Sequence, residues 1–189
     1  MKKTILILAA LLMMIVSGCG LTSGTAFVSQ EVDGTITTNT GDGMRGGGGA
    51  LDSQMEGVLV DLTDNSDWSD FTIEGVEDGC ISVTAQNHLA TPVSGEIWIV
   101  LDTDFDPAGD PNAVRNNATA FKVFEGLALA GSETKLFTCA ETIEMLQNTD
   151  LLVEAVRDGR FQAFGLGNED AYHFTLTGVV FGFHITGSI

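Results

Sequence analysis

The densest supply of metal-type ligands in the chain is Asp102-Thr103-Asp104-Phe105-Asp106-Pro107-Ala108-Gly109-Asp110. Asp102, Asp104, Asp106 and Asp110 present carboxylates at short, nearly regular intervals, and Ca²⁺ collects about 6 to 8 such oxygens. The same side chains can instead close Asx turns, each oxygen accepting from a backbone amide two residues on. The two uses compete for one set of lone pairs. A second acidic stretch places Asp61, Asp64, Asp67 and Asp70 at every third residue around Trp68. That spacing cannot put four carboxylates on one side of a strand, so the stretch reads as a turn. An indole among carboxylates is a candidate grip for a sugar ring or a cationic group. Its structural alternative is a ring folded over the edge of a core. Trp98 lies inside an apolar run and reads as core.

Asp102, Asp104 and Asp106 resemble the opening of an EF-hand loop. Pro107 stands where that loop has glycine, and Ala113 where it has its bidentate glutamate, so a helix-loop-helix calcium site is excluded. What remains is a lone calcium-stabilised loop or a solvated acidic turn. The histidines are His88, His173 and His184, and the sequence holds no Gly-x-Ser-x-Gly elbow or His-Glu-x-x-His pair. Gly46 to Gly49 is followed by no Lys-Ser/Thr, so it reads as a linker rather than a phosphate cradle. The chain is therefore read as a non-enzyme. A hydrolase would need a constellation assembled only in three dimensions.

The address is written at the start. Lys2 and Lys3 precede a mostly apolar run to Val16, shorter than the roughly 20 residues of a membrane span, and Val16-Ser17-Gly18-Cys19 ends it. This ending resembles the lipobox of bacterial lipoproteins. The resemblance implies a signal peptide over 1–18, acylation of Cys19 (palmitate among its acyl chains), and a lipid anchor. Gly20 in the next position, rather than aspartate, implies sorting to the outer membrane. A plain secretory peptide or an uncleaved anchor is the alternative. With 26 acidic and 8 basic side chains the net charge is −18, and loss of the leader would make it more negative still. Such a field repels phosphate backbones, which excludes nucleic acid as a partner and leaves membrane contact to the lipid. A glycan or an envelope protein is the expected partner.

Of three cysteines the lipobox takes one. Cys80 and Cys139 remain as an even pair in a compartment that permits disulfides, so a bridge is expected, with two buried thiols as the alternative.

These groups need a scaffold, and the sequence writes it mainly in strands. Residues 19–50 are rich in Gly, Ser and Thr and read as a tether, with a loose edge strand foreseen in Ala26-Phe27-Val28 and Thr35-Ile36-Thr37. Fully disordered, a tether of that length spans about 30 Å on average. From 51 to 189 the pattern is one domain of short β-type runs. Ile81, Val83, Ala85 and Leu89 share one face of a strand, which the turn at Thr91 to Gly95 pairs as a hairpin with the two-sided strand Glu96 to Leu101. Phe121, Val123, Leu127 and Leu129 form another, and Glu133 to Cys139 a short one. Thr138 and Glu141 have capping-box spacing, which predicts one short helix to about Asn148. Asp158-Gly159 predicts a tight hairpin between Leu151 to Arg157 and Arg160 to Leu166. In Tyr172 to Ile185 the apolar phase changes, Phe174 and Leu176 against Val179, Phe181, Phe183 and Ile185, so a bulge near Gly178 or a change of sheet is expected.

The sum is an all-β, two-sheet antiparallel β-sandwich, Ig-like or jelly-roll-like, with one short helix. The Asp67-Trp68-Ser69-Asp70 turn, the strand from Cys80 and the Val93-Ser94-Gly95 turn are similar to those of uncharacterised secreted bacterial β-sandwich lipoproteins, which implies architecture and no activity. The resulting expectation is a lipid-anchored envelope module that binds or associates. A Ca²⁺-dependent carbohydrate-binding module built on Trp68 and the Asp102 loop is the second reading, and a hydrolase the third.

Overall fold

The computed structural model describes residues 23–39, 54–55, 57–168 and 171–188. The signal segment, Cys19 and the Gly46 to Gly49 run lie outside the described residues. Two antiparallel sheets face each other. One holds β1 (Gly24–Asn39), the two-residue β2 (Gln54–Met55), β4 (Thr72–Asn87), β7 (Thr134–Phe137) and β9 (His173–Ser188), in the order β2-β1-β9-β4-β7. The other holds β3 (Gly57–Asp61), β5 (Val93–Val100), β6 (Ala120–Leu129) and β8 (Arg160–Gly167), in the order β3-β8-β5-β6. Among the described residues four short helices connect them: α1 (Ser66–Ser69), α2 (Pro111–Arg115), α3 (Cys139–Thr142) and α4 (Thr149–Asp158).

Apart from β2, successive strands pass from sheet to sheet, and β5 and β6 alone stay together before the chain crosses back. That is the jelly-roll order of eight strands in two Greek keys. An immunoglobulin order, in which the first two strands share a sheet, is thereby set aside.

The sheet-to-sheet crossings correct the hairpin expected between Cys80 to Leu89 and Glu96 to Leu101. β4 pairs with β9 and β7, whereas β5 pairs with β6 and β8. The intervening turn is a crossover. The strand foreseen in Ala26-Phe27-Val28 and Thr35-Ile36-Thr37 is β1, longer than a loose edge: its sixteen residues are hydrogen-bonded along β9 from Gly24↔Gly187 to Asn39↔His173, so the sheet begins before residue 51.

The core lies between the sheets. Phe161 of β8 meets Phe181 and Phe183 of β9 edge-on, with ring centroids 6.2 and 6.3 Å apart. The phase change in β9 is a bulge within one sheet. Ser82 pairs with Val180 and Thr84 with Thr177, leaving Gly178 and Val179 opposite Val83 alone, and Gly178 has φ +58°. Phe174 and Leu176 before it and Val179, Phe181, Phe183 and Ile185 after it all reach the core.

The expected hairpin at Asp158-Gly159 is a helix ending. Leu152, Ala155 and Val156 of α4 are buried at the 3–4 spacing of a helix face, while Leu151 stays exposed. Gly159, at φ +76°, caps the helix with its amide on the Ala155 carbonyl. Asp-Gly serves either structure, because both need a residue at positive φ. The expected helix to Asn148 is shorter than foreseen. The capping box forms, Glu141 accepting from the Thr138 amide at 2.9 Å, but α3 passes into a single 3₁₀ turn at Ile143–Met145. Leu146 then bridges to Phe124 on β6, and Asn148 turns left-handed to start α4.

Cys80 and Cys139 form the expected disulfide, 59 residues apart in sequence, which ties α3 to β4. Thr142 continues the attachment: its hydroxyl donates to the Ile81 carbonyl at 2.7 Å and accepts from the Ile81 amide at 3.0 Å. A cross-link over this separation restricts the unfolded chain most. Replacing both cysteines by alanine is expected to lower the unfolding free energy by about 2 to 4 kcal/mol. Urea denaturation of the oxidised protein and of the double variant measures the difference, and a reductant should reproduce it.

Candidate functional site

The acidic loop after β5 uses its carboxylates on its own backbone. Asp102 accepts from the Asp104 amide at 3.1 Å and Asp106 from the Ala108 amide at 2.8 Å. Asp110 accepts from the Asn112 amide at 2.8 Å, capping α2, whose first position is Pro111. With its turns closed, the loop lays Phe105 edge-on against Phe164, at 6.0 Å between ring centroids. Loop and helix together cover the outer face of the β3-β8-β5-β6 sheet, where Val100, Val114, Phe164 and Leu166 form a second small core. Trp98 is half-buried in this second cluster rather than between the sheets. Among the described residues no three His, Cys, Asp or Glu side chains are grouped to share a metal ion.

The acidic turn around Trp68 is likewise occupied internally. Asp61 accepts from the Thr63 hydroxyl at 2.6 Å and its amide at 3.0 Å, and from the Arg160 guanidinium at 2.6 and 2.8 Å. Asp67 lies in the first turn of α1, which Asn65 caps. The Trp68 indole N–H donates to the Val156 carbonyl at 2.6 Å, so its polar edge is directed into the protein. A Cβ added at Gly159 would stand 2.6 Å from the indole ring, so that glycine is required by close approach as well as by its φ. Trp68 thus anchors α1 over the end of α4.

The structure keeps the histidines in two places on the outer face of the β1-β9-β4 sheet. The rings of His88 and His173 meet tilted by 39° with centroids 4.5 Å apart, and His88 Nε2 lies 3.2 Å from the Thr175 hydroxyl. His184 pairs with Asp78 beside the ring of Phe27. The His184–Asp78 pair lies partly exposed on an open sheet face. Among the described residues no serine or cysteine bonds to it.

Sequence reasoning passed over Glu96. It lies in the central strand β5, 4% exposed, where a lone carboxylate is costly. Arg115 of α2 donates to it at 2.8 and 3.0 Å, and Lys122 of β6 stands at 3.5 Å while also pairing with Glu125 at 2.8 Å. Arg115 donates further to the Gly167 carbonyl at 2.7 Å. Burial works against the Lys122 ammonium, but the hydrogen bond it donates to Glu125 and the charge of Glu96 raise its pKa overall. The available signal was one charged residue in an otherwise apolar two-sided strand, which demands a distant cation.

The remaining surface of the first sheet is distinctive in composition. Register places Thr35 beside Thr177, and Thr177 beside Thr84, which adjoins Leu136 of β7. The next row is Thr37, Thr175, Gln86 and Thr134. These side chains are exposed or half-buried, and the two rows contain no charged residue in a chain of net charge −18. Strands about 4.8 Å apart, with same-face residues about 6.7 Å apart along each, make the rows a regular field of hydroxyl and methyl groups.

The Asp61 interactions carry a pH dependence. The Thr63 hydroxyl bond first, then Arg160, hold its carboxyl down at about 2, from 3.8. A depressed folded-state pKa gives stability that is present above the unfolded value and lost as pH falls. The Asp61 contribution is therefore complete above about pH 4 and disappears toward pH 2. With a quarter of the side chain exposed, water moderates its size. Asp61→Asn is expected to flatten the fall in urea midpoint between pH 4 and pH 2 relative to the parent protein.

No family model matches the sequence, and no curated protein matches it. Among solved structures, a chain from Desmodium yellow mottle tymovirus is similar over 88% of this chain and 90% of its own at 11% identity, but the TM-score of 0.22 is too low to carry an argument.

Proposed function

We propose that this protein is a lipid-anchored jelly-roll module of the bacterial cell envelope, held on the outer membrane through acylated Cys19, and that it works by association rather than by catalysis. The observation that carries the reading is the Cys80–Cys139 disulfide, which leaves Cys19 as the one cysteine outside the bridge. Structural disulfides belong to oxidising compartments, and a lipobox cysteine leads to one. The acidic loops support association less than the sheet face does, because their carboxylates are engaged with their own amides and with Arg160. The two threonine rows offer a neutral hydrogen-bonding surface, suited to a neutral hydroxyl-bearing partner such as a glycan.

Mass spectrometry of the protein extracted from membranes is expected to find an acylated Cys19 as the first residue. A chain that still begins at Met1 and carries no lipid defeats the anchoring part of the proposal. Association through the sheet face is tested by retention on insoluble neutral polysaccharide. Thr84→Glu and Thr177→Glu place charge in the centre of the rows and are expected to reduce retention at least tenfold with an unchanged melting temperature. Equal retention of both variants removes that surface from the proposal.

A further inference from the structure

We infer that the jelly roll stands upright on its membrane, with the end where β1 begins against the lipid headgroups and the threonine rows in the half that points away. This rests on acylation of Cys19 as proposed above. The thirty-residue tether foreseen from composition would have let the domain drift. Instead β1 is already in the sheet at Gly24, paired with Gly187 of β9, and Thr25 with Thr186. Five residue steps separate Gly24 from Cys19, a reach of no more than about 18 Å at ~3.6 Å per residue.

The same end of the molecule carries the start of β4, where Thr72 pairs with Ser188, and α1, which is joined to β1 through Asn65 Nδ2 on the Ser29 carbonyl at 3.0 Å. β1 and β9 each run sixteen residues away from it, about 50 Å at ~3.3 Å per residue. The far end is therefore beyond the reach of the anchor, and charge decides whether the body lies down or stands. Its flanks carry carboxylates at many points. Asp102, Asp104 and Asp106 lie over the second sheet, and Asp150 and Glu154 lie on α4. Without Lys2 and Lys3 of the leader the full-chain charge of −18 becomes −20, and a body so charged, tethered at one end to an anionic surface, has its lowest electrostatic energy with its free end swung outward. The effect acts over about 8 Å at physiological salt, enough to keep a flank from resting on the headgroups. Thr35 and Thr37 lie 11 and 13 residues along β1 from Gly24, which places their rows in the outward half.

Neutron reflectometry of the full lipidated chain on a supported bilayer of phosphatidylethanolamine and phosphatidylglycerol tests this. The expected profile is a protein layer that starts within about 18 Å of the headgroups and is roughly 50 Å thick. A layer roughly 25 to 30 Å thick, the width of the stacked sheets, means the body lies flat and overturns the inference. A chain that begins at Gly20, without leader or Cys19, separates the two claims. If the unacylated chain leaves the bilayer bare, the anchor stands and the layer thickness of the parent protein alone decides orientation. If it coats the bilayer as the parent does, the anchoring proposal fails and the inference with it.

Discussion

One extra residue in β9 aims the interior. Strand side chains alternate with a period of two, so the apolar set of Phe174 and Leu176 and that of Phe181, Phe183 and Ile185 cannot share a face on a regular strand. Gly178, at positive φ, absorbs the difference by standing with Val179 opposite the single residue Val83. Without that slip Phe181 and Phe183 would face solvent, and Phe161 would lose both ring partners. β1 and β4 both take their register from β9, so the bulge also aligns the threonine rows on the opposite surface.

The second constraint is the repeated crossing between sheets. Asn87, nearly fully buried at the end of β4, holds two crossings at once. Its Nδ2 donates to the Thr91 and Ala130 carbonyls at 2.8 and 2.9 Å, and its Oδ1 accepts from the Leu89 amide at 3.0 Å. Locally, the turn from Thr91 to Gly95 has the chemistry of a hairpin. That is why pattern reading joined β4 to β5: alternation fixes which side chains turn inward, while the partner strand is chosen by contacts far away in sequence. Likewise the face of Ile81, Val83 and Ala85 and the phase change in β9 were legible because each is a property of one strand. α4 was not legible as a helix, since Leu151 to Arg157 is short enough to fit either period and Asp-Gly ends a helix as readily as it turns a hairpin.

The same distinction separates what was legible of the candidate site. Asp102, Asp104, Asp106 and Asp110 are visible in sequence as carboxylates, but ligand set and Asx turn begin from one spacing. The folded loop decides between them by presenting amides at two-residue offsets and by docking Phe105 onto Phe164. Trp68 was conspicuous for its acidic neighbours, yet its N–H finds Val156, 88 residues away. The cysteine pairing was recoverable because compartment and parity restrict it without geometry. The threonine rows were invisible, since they exist only once β1, β9 and β4 are aligned.

Several acidic side chains in this protein satisfy backbone amides that lack ladder partners: Asp61 beside Thr63, Asp110 at the start of α2 and Glu141 at the start of α3. There a carboxylate satisfies a donor that a loop leaves open, and its charge faces water at little cost. On a strand the amides are already paired in the ladder, so the same charge gains nothing and repels its cross-strand neighbours. Glu96 is a buried carboxylate on a central strand, and it persists with Arg115 and Lys122 brought to it from α2 and β6. The acidic side chains of β1 and β4, among them Glu31, Glu74, Glu77 and Asp78, come before the rows along each strand, so the stretch that holds the rows is an unrepelled surface where a strongly acidic chain can approach a neutral partner.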